Sequence, residues 1–268
     1  MIVLKIGGDV FERGLGPNLS ADIKEVLETS KLVIVHGGGD EVTRVAEKLG
    51  KKQVFIYSPS GIRSRYTDRE TAEIYTMVMA GKINKNIVRF LLGEGIKAVG
   101  LSGVDATLLR AKRKKRLIIV DERGRKRIID GGYTGKIEQV NTQILKLLME
   151  NGYVPVVSPT AIGEENYFLN VDSDRAAASI AGALKAEKVI FLTDVEGIFL
   201  EGKLVRRISL KEAEEIMSRV GPGMDKKVMA SIEALKAGVG EAIIASGLVD
   251  KPVISALNHL TGTVIYTE

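Results

Sequence analysis

Two glycine-rich turns, each placed after a short apolar run, carry the clearest chemical signal in the sequence. Lys5-Ile6-Gly7-Gly8 ends the first run, and His36-Gly37-Gly38-Gly39 ends the second. Ligands of open α/β sheets bind beyond the carboxyl ends of the strands. Glycine at such a position lets a phosphate group approach the backbone, so that N–H groups donate to it. One turn of this kind is usually only a tight connection, but two turns with a lysine beside one of them predict a phosphate site.

Two later segments place charged side chains at predicted helix starts. Asn170-Val171-Asp172-Ser173-Asp174 opens an alanine-rich helix, and Gly223-Met224-Asp225-Lys226-Lys227 opens another. One side chain of the first segment serves as an N-cap, but two carboxylates and an amide exceed what a cap needs. A lysine in a first turn opposes the helix dipole, which is a modest indication of function. Neither G-x-x-x-x-G-K-[ST] nor G-x-G-x-x-G occurs, so a different phosphate-binding scaffold is required.

The elements that must position these segments alternate between strands and helices. Short apolar runs predict strands at 2–8, 32–39, 97–103, 153–159, 188–195 and 241–246, and helical spacing predicts helices at 20–30, 41–50, 69–94, 141–151, 173–184, 209–219 and 224–237. This alternation predicts an α/β fold, a three-layer αβα sandwich with a mainly parallel open sheet. Residues 117–130 depart from this alternation, because two apolar runs follow each other with no helix between them. They predict a β-hairpin that turns near Gly124.

Positive charge is concentrated around that hairpin. Residues 110–127, here called the basic stretch, contain ten basic and two acidic residues, whereas the rest of the 268-residue chain contains 29 basic and 32 acidic residues. A projecting basic hairpin of this kind steers an acidic partner. The alternative is a merely solvated hairpin of a thermophile, although stabilising networks mix both signs. No aromatic residue lies in the basic stretch, so base stacking on nucleic acid is not supported.

Composition limits the class of protein. The absence of cysteine excludes disulfides and thiolate metal sites, and we expect a cytoplasmic location and no protein-bound metal site. No apolar run approaches the ~20 residues that a membrane-spanning helix needs, so no membrane association is expected. The two histidines have no triad-like surroundings and are expected to be structural.

Seven motifs in register resemble the amino acid kinase family over essentially the full length. They are Lys5-x-Gly-Gly, HGGG at 36–39, RYTD at 65–68, GKINK at 81–85, NVDSDRAA at 170–177, TDVEGI at 193–198 and GPGMDKK at 221–227. Each motif alone is weak, but seven in the same order are specific. The resemblance is closest to acetylglutamate kinase-like members, and it implies the amino acid kinase fold.

The resemblance implies an ATP-dependent kinase that phosphorylates a carboxylate, with ATP and Mg²⁺ as cofactors. Lys5 and Lys227 would flank the transferring phosphoryl group, and Asp174 would hold both lysines. The implied acceptor-binding residues are Gly38, Gly39, Arg65 and Asn170, and the implied nucleotide-binding residues are Gly7, Gly8, Thr193, Asp194 and Gly197. The lengthened loop leaves open whether Arg63 or Arg65 binds the substrate. Arg65 is preferred because it stands before the Thr-Asp pair, as the arginine does in the shorter form of this loop.

Several departures from a plain acetylglutamate kinase narrow the resemblance. Asp172 replaces a usual Asn, GPGM replaces GGM, and the arginine loop is lengthened to GIRSRYTD. These variants resemble the kinases that act on glutamate or 2-aminoadipate linked to an acidic amino-group carrier protein (LysW) in lysine and arginine biosynthesis. The implied carrier-docking residues are Lys112, Arg113, Lys114, Lys115, Arg116, Arg123, Arg125, Lys126 and Arg127.

Three alternatives are weighed against this interpretation, and the preference between aminoadipate and glutamate stays open. The nearest alternative is an N-acetylglutamate kinase that acts on the free small molecule. A nucleic-acid-binding protein is not favoured because the basic stretch has no residues on which bases could stack, and a nucleotide sensor would not need Lys5, Asp174 and Lys227 together.

We expect a lobe at 1–172 that binds the acceptor and contains the hairpin (110–130), and a lobe at 173–268 that binds ATP, with one continuous sheet. The resemblance to dimeric, arginine-insensitive relatives predicts a homodimer.

Overall fold

The computed structural model describes residues 1–8, 10 and 17–267. Its strands are β1 (Ile2–Ile6), β2 (Leu32–His36), β3 (Val54–Tyr57), β4 (Arg63–Tyr66), β5 (Ala98–Ser102), β6 (Leu109–Arg113), β7 (Arg116–Val120), β8 (Lys126–Asp130), β9 (Gly135–Val140), β10 (Val154–Ser158), β11 (Thr160–Gly163), β12 (Phe168–Asn170), β13 (Lys188–Thr193), β14 (Phe199–Leu200), β15 (Lys203–Leu204), β16 (Arg207–Ser209), β17 (Glu241–Ser246) and β18 (Thr263–Tyr266).

The helices are α1 (Pro17–Thr29), α2 (Gly39–Lys48), α3 (Arg69–Thr76), α4 (Asn84–Gly93), α5 (Gln143–Glu150), α6 (Ser173–Leu184), α7 (Leu210–Glu215), α8 (Met224–Lys236) and α9 (Pro252–Leu257). A π-helix (Met77–Ile83) joins α3 to α4, and short 3₁₀ turns occupy Asp105–Thr107 and Ile216–Ser218. The predicted helix at 69–94 is therefore helical throughout but changes its hydrogen-bond pattern in the middle. No helix within these described ranges is long and apolar enough to cross a membrane.

An eight-stranded sheet forms the centre of the molecule, in the order β16-β18-β17-β13-β1-β2-β10-β5. Its strands are parallel except that β18 pairs antiparallel with β17, and β16 runs with β18. All residues of β1 and β2 are buried, because helices cover both faces of a parallel sheet. The sheet contains strands from both sides of residue 172.

Alternate side chains of the central strands enter two separate cores. Val3, Val33 and Val35 pack with residues of α6 and α8 on one face of the sheet. Leu4 and Ile34 pack on the other face with residues of α1, α2 and α4. This two-sided burial confirms the predicted αβα sandwich with a mainly parallel sheet.

Besides the two-stranded β14-β15 sheet, the described residues form two four-stranded sheets in addition to the central one. One has the order β12-β11-β6-β9, and the other has the order β4-β3-β7-β8. Strands β7 and β8 form the predicted hairpin, whose turn is fixed by backbone N–H groups of Arg123 and Arg125 that donate to the Asp121 carboxylate. The hairpin joins β3 through the pair Tyr57 and Val120, so it belongs to the same sheet as β4.

Candidate active site

The two glycine turns contact each other at the carboxyl edge of the central sheet. Strands β1 and β2 are parallel neighbours with Ile6 opposite His36, so their turns leave the sheet side by side. A Cβ atom at Gly8 would lie 3.2 Å from the backbone nitrogen of Gly38, and one at Gly37 would lie 3.2 Å from the nitrogen of Gly8. Glycine is required here because two backbones pass at van der Waals distance.

The HGGG turn leads directly into α2. Gly38 has φ 143°, a conformation that L side chains rarely adopt, and a Cβ atom there would overlap Cδ1 of Ile83. No side chain of the described residues caps α2, and the helix starts at the HGGG turn, so its uncapped first-turn N–H groups and the positive end of its dipole lie at the edge of the sheet. This edge is suited to an anion, as the sequence predicted.

The side chain of His36 supports the HGGG turn from the interior of the protein. Its ring is fully buried, with Nδ1 3.0 Å from the Gly37 carbonyl oxygen and Nε2 3.2 Å from Nδ2 of Asn84. Asn84 also donates to the Val156 carbonyl oxygen at 2.9 Å, which links α4 to β10. Burial lowers the pKa of His36 to about 4, and the charge of Lys5 acts in the same direction. The ring is therefore neutral near pH 7, donating from Nδ1 and accepting at Nε2.

The three predicted catalytic side chains meet beside these turns. Nζ of Lys5 lies 2.7 Å from Oδ1 of Asp174, and Nζ of Lys227 lies 3.3 Å from Oδ2 of the same carboxylate. Lys5 is on β1, Asp174 is in the first turn of α6, and Lys227 is in the first turn of α8. We call this group the lysine–aspartate cluster. Asp172, and not Asp174, is the N-cap of α6.

Burial and charge set the protonation of the cluster. Lys5 and Asp174 are each only 4% exposed. Burial favours a higher pKa for Asp174, but the charges of Lys5 and Lys227 outweigh it and hold the pKa below its ordinary value. Burial lowers the pKa of Lys5, and Asp174 opposes that shift. Two ammonium groups thus share one carboxylate, which leaves positive charge available for a phosphoryl group.

A cavity of about 730 Å³, here the larger cavity, opens beside the HGGG turn. The predicted acceptor residues Gly38, Gly39, Arg65 and Asn170 all line it. Arg65 donates through Nη2 to the Gly39 carbonyl oxygen at 2.7 Å, and Asn170 donates to Oγ1 of Thr67 at 2.9 Å. Arg63 also lines the cavity, with its guanidinium stacked 3.6 Å from the ring centroid of Phe55. Arg65 is the arginine that contacts the glycine turn.

Other lining residues of the larger cavity were not identified from the sequence. Phe55, Tyr75, Lys136 and Arg175 belong to this group. Arg175 pairs with Glu233, Nε to Oε2 at 2.9 Å, and so connects α6 to α8. Arg175 directly follows Asp174 in a helix first turn, a position that could have identified it. Tyr75 and Lys136 have no local signal, because tertiary packing alone brings them to the cavity.

A smaller cavity of about 370 Å³ lies on the other side of the GPG segment. Thr193, Asp194 and Gly197 line it, as do the exposed apolar side chains of Val195 and Phe199. Lys227 lines it as well, and residues 222–223 border both cavities. Lys5 and Asp174 line neither cavity, but Ser173 and Arg175, the chain neighbours of Asp174, line the larger one. The lysine–aspartate cluster therefore lies between the two cavities.

Gly7 and Gly8 line neither cavity. The N–H of Gly7 donates to the Leu192 carbonyl oxygen at 3.0 Å, so it is used in the sheet and is not free for a nucleotide. A Cβ atom at Gly7 would lie 3.1 Å from that oxygen and 4.0 Å from Nζ of Lys5. Gly7 therefore contributes space beside the lysine.

The basic stretch does not form a single face. It is divided among β6, a two-residue connection, β7, the turn and β8. Arg125 and Arg127 pair with Asp121, Nε to Oδ2 at 3.3 and 2.7 Å, and Arg113 lies 4.9 Å over the ring of Tyr133. Lys114 lines the larger cavity. Among the described residues, the basic side chains of the basic stretch that form no ion pair with an acid are Arg110, Lys112, Lys114, Lys115, Arg116, Arg123 and Lys126.

Comparisons with known proteins agree with this geometry. A putative [LysW]-aminoadipate/[LysW]-glutamate kinase of Nitrosopumilus maritimus (strain SCM1) is 55% identical over 268 residues, which is 100% of both chains. A [LysW]-aminoadipate/[LysW]-glutamate kinase of Saccharolobus solfataricus is 47% identical over 266 residues, which is 99% of both chains.

Solved structures extend the likeness to the fold. A Streptococcus mutans UA159 protein, smu.665, superposes with a TM-score of 0.80 at 25% identity, covering 100% of this chain and 98% of that one. N-acetylglutamate synthase from Neisseria gonorrhoeae superposes with a TM-score of 0.80 at 24% identity, covering 100% of this chain and 59% of that one. The model of the amino acid kinase family matches residues 1–246, and the chain belongs to that family.

Proposed function

We propose that this chain transfers the γ-phosphoryl group of ATP to the side-chain carboxylate of glutamate or 2-aminoadipate linked to the carrier protein LysW. The lysine–aspartate cluster between two cavities is the observation that carries the proposal. Phosphoryl transfer depends on positioning and on stabilisation of charge, and it needs no protein nucleophile. The relatives named for this reaction match the chain over its whole length.

In the proposed mechanism ATP occupies the smaller cavity and the acceptor carboxylate enters the larger one. Lys227 lines the smaller cavity, and Lys5 lies on the opposite side of the Asp174 carboxylate. The two ammonium groups would contact oxygens of the phosphoryl group as it passes between donor and acceptor. Arg65 and Asn170 would hold the other carboxylate of the acceptor, and the first turn of α2 would face the reacting end.

Mg²⁺ would enter with the nucleotide. Within the described ranges, no group of three or more His, Cys, Asp or Glu side chains could hold a metal ion. Mg²⁺ commonly keeps several waters and binds through substrate phosphates with one or two carboxylates. Asp194, at the smaller cavity, is the nearest candidate from the protein, and the ion would supply neutralisation of phosphate charge.

The carrier would dock on the sheet formed by β3, β4, β7 and β8. Ile118 and Ile128 are directly paired and both exposed, and Arg116 and Lys126 lie on the same face of the hairpin as Asp130, which pairs with Arg113. Cross-strand pairing of Val120 with Tyr57 continues this face towards β4, which carries the cavity arginines. An apolar centre with a basic rim is the arrangement expected for an acidic protein partner.

The same proposal includes four further points: a lobe division at residue 172, a role in both lysine and arginine biosynthesis, a cytoplasmic location and a homodimer. Support for the lobes comes from the smaller cavity, whose lining residues among those described all follow residue 172, whereas the larger cavity is lined from both sides of it. The absence of cysteine supports a reducing compartment.

The test measures ADP release with ATP and three acceptors: LysW-linked glutamate, LysW-linked 2-aminoadipate and free N-acetylglutamate. The proposal expects kcat/KM for a carrier-linked acceptor to exceed that for N-acetylglutamate and to fall with salt, because exposed charges are screened over ~10 Å at 0.1 M. Preference for N-acetylglutamate would identify a free-substrate kinase.

A charge reversal separates docking from catalysis. The variant K115E/R123E/K126E should lower kcat/KM for the carrier-linked acceptor by about tenfold or more, mainly through KM. K31E/K146E/K211E is the matched control, since it reverses three exposed lysines outside the basic stretch, outside the docking sheet and outside both cavities. Equal losses in the two triple variants would contradict docking at the hairpin.

A further inference from the structure

Three lysines extend along β6 and β9 into the wall of the larger cavity. Lys112 is directly opposite Lys136 in the β6–β9 pairing, and Lys114 follows directly after the end of β6. Like charges placed opposite each other destabilise a sheet. None of the three forms an ion pair with an acidic side chain of the described residues. Ion pairing within the fold therefore does not account for this arrangement.

Lys114 occupies a fixed position in that wall. Its N–H donates to the Thr134 carbonyl oxygen at 2.9 Å, and Gly131 donates to the Lys115 carbonyl oxygen at 3.1 Å. A Cβ atom at Gly131 would overlap the Lys114 carbonyl group. The backbone of Lys114 is thus held by a close glycine contact, and its half-buried side chain lines the cavity with Lys136.

The charges around Lys114 leave the wall positive. Burial lowers the pKa of Lys114, the charges of Arg175 and Lys136 lower it further, and Asp172 opposes them. Arg175 is paired with Glu233, and the Asp172 carboxylate accepts from the N–H groups of residues 174 and 175. Neither acid is therefore a dedicated partner of Lys114 or Lys136.

We infer that Lys114 and Lys136 form a second anion subsite, which binds a carboxylate on the group attached to the amino nitrogen of the acceptor. The inference rests on the proposed function, because it assigns Arg65 and Asn170 to the acceptor's own carboxylate. The two lysines then need an additional anion. A linker or peptide segment with a carboxylate supplies one, whereas an N-acetyl group does not, so the subsite selects linked acceptors.

The experiment compares N-succinylglutamate with N-acetylglutamate, which differ at the acyl group by a CH₂-carboxylate extension. Each is measured as a substrate and as a competitive inhibitor of the carrier-linked reaction. The wild-type enzyme should favour the succinyl compound about tenfold to a hundredfold in kcat/KM or Ki, as expected for charge-assisted hydrogen bonds. K114M and K136M should each bring that ratio close to one.

Two control variants are expected to keep the preference for the succinyl compound. K114R should keep the preference, because it keeps the charge, and K211M should keep it, because Lys211 is exposed and lies outside the cavity. Lys136 is exposed, so K136M provides the test even if K114M folds poorly.

The outcomes separate this inference from the proposed function. A wild-type ratio near one, or a ratio that both methionine variants leave unchanged, overturns the subsite even if the carrier-linked acceptor is phosphorylated. A ratio that depends on Lys114 and Lys136 supports the subsite even if the carrier-linked acceptor is not a substrate, and in that case the carrier proposal alone fails.

Discussion

Replacement of Asp174 by Asn tests the lysine–aspartate cluster most directly. The amide keeps the size of the carboxylate and some of its hydrogen bonds, but it removes the only acid within ion-pair distance of both Lys5 and Lys227 among the described residues. Removing one partner of a buried ion pair costs about 3–5 kcal/mol of stability. We therefore expect D174N to fold with a clearly reduced free energy of unfolding.

The effect on turnover follows from the pKa of Lys5. Burial and Lys227 already lower that pKa, and Asp174 is the main group that raises it. Without Asp174 the pKa falls further, so Lys5 loses its proton at a lower pH than in the wild-type enzyme. Loss of one oriented donor costs about 10²–10³ in kcat. D174N should show a fall of this size at pH 8 and an alkaline limb of kcat shifted to lower pH.

Steady-state ADP release from pH 6 to 9.5 and urea unfolding at pH 7.5 provide the two measurements. D172N is the matched control: it removes a neighbouring half-buried acid that caps α6, and it should cost about 1 kcal/mol of stability with a much smaller loss of kcat. A D174N enzyme with kcat within tenfold of the wild type and an unshifted alkaline limb would refute the assignment of Asp174 as the anchor of both lysines.

Three other predictions use the same purified protein. K5A and K227A should each lower kcat by about 10²–10³ with smaller changes in KM for ATP and acceptor, as steady-state kinetics would show. The pKa of His36 is about 4 in the folded state and 6.5 in the unfolded state. Its contribution to the free energy of unfolding is therefore complete above pH 6.5 and is lost as the pH falls to 4. Urea unfolding should show a loss of about 3 kcal/mol across that pH range, and H36Q should not show it. G38A should lower the free energy of unfolding by at least about 2 kcal/mol, because Gly38 has a positive φ and a Cβ atom there would overlap Ile83. G39A is the control: the nearest atom to a Cβ at Gly39 is 3.9 Å away, so G39A should unfold almost like the wild type.

The central sheet was predictable because its strands are buried on both faces. Such strands are continuous apolar runs that end in turn residues, and β1, β2, β10, β13 and β17 all lie inside the predicted ranges. The meeting of the glycine turns was predictable too, since parallel neighbouring strands must end at the same edge.

The smaller sheets were not predictable in the same way. Strands β3, β4, β6 and β9 are short and partly exposed, and β4 is Arg63–Tyr66, with two arginines in four residues. A half-buried strand is marked only by alternation of apolar and polar residues, and in β6 that alternation is just buried Leu109 and Ala111 between exposed Arg110 and Lys112, too short to stand out. The π-helix at Met77–Ile83 was also missed, since its hydrogen-bond pattern changes while the apolar spacing remains helical.

The basic stretch shows how sequence proximity can mislead. Ten cations within 18 residues predict one positive surface. The structure instead assigns Arg125 and Arg127 to the turn carboxylate, Arg113 to a tyrosine ring and Lys114 to the cavity. The folded arrangement of the strands and the turn, and not the local charge density, therefore determines which of these cations are left without an acidic partner.

The alanine-rich sequence of α6 has a consequence for catalysis beyond helix propensity. Asp174 and Lys227 begin different helices, so their 3.3 Å contact depends on how closely α6 and α8 pack. A Cβ atom at Gly182 would lie 2.5 Å from Cβ of Ala237, just beyond the end of α8, so a larger residue there would separate the helices at that end. Near the other end, the Arg175–Glu233 pair fixes their relative position. Small residues along α6 thus set the distance between the carboxylate and the lysine that it orients, and a substitution far from both cavities can act on kcat through that distance.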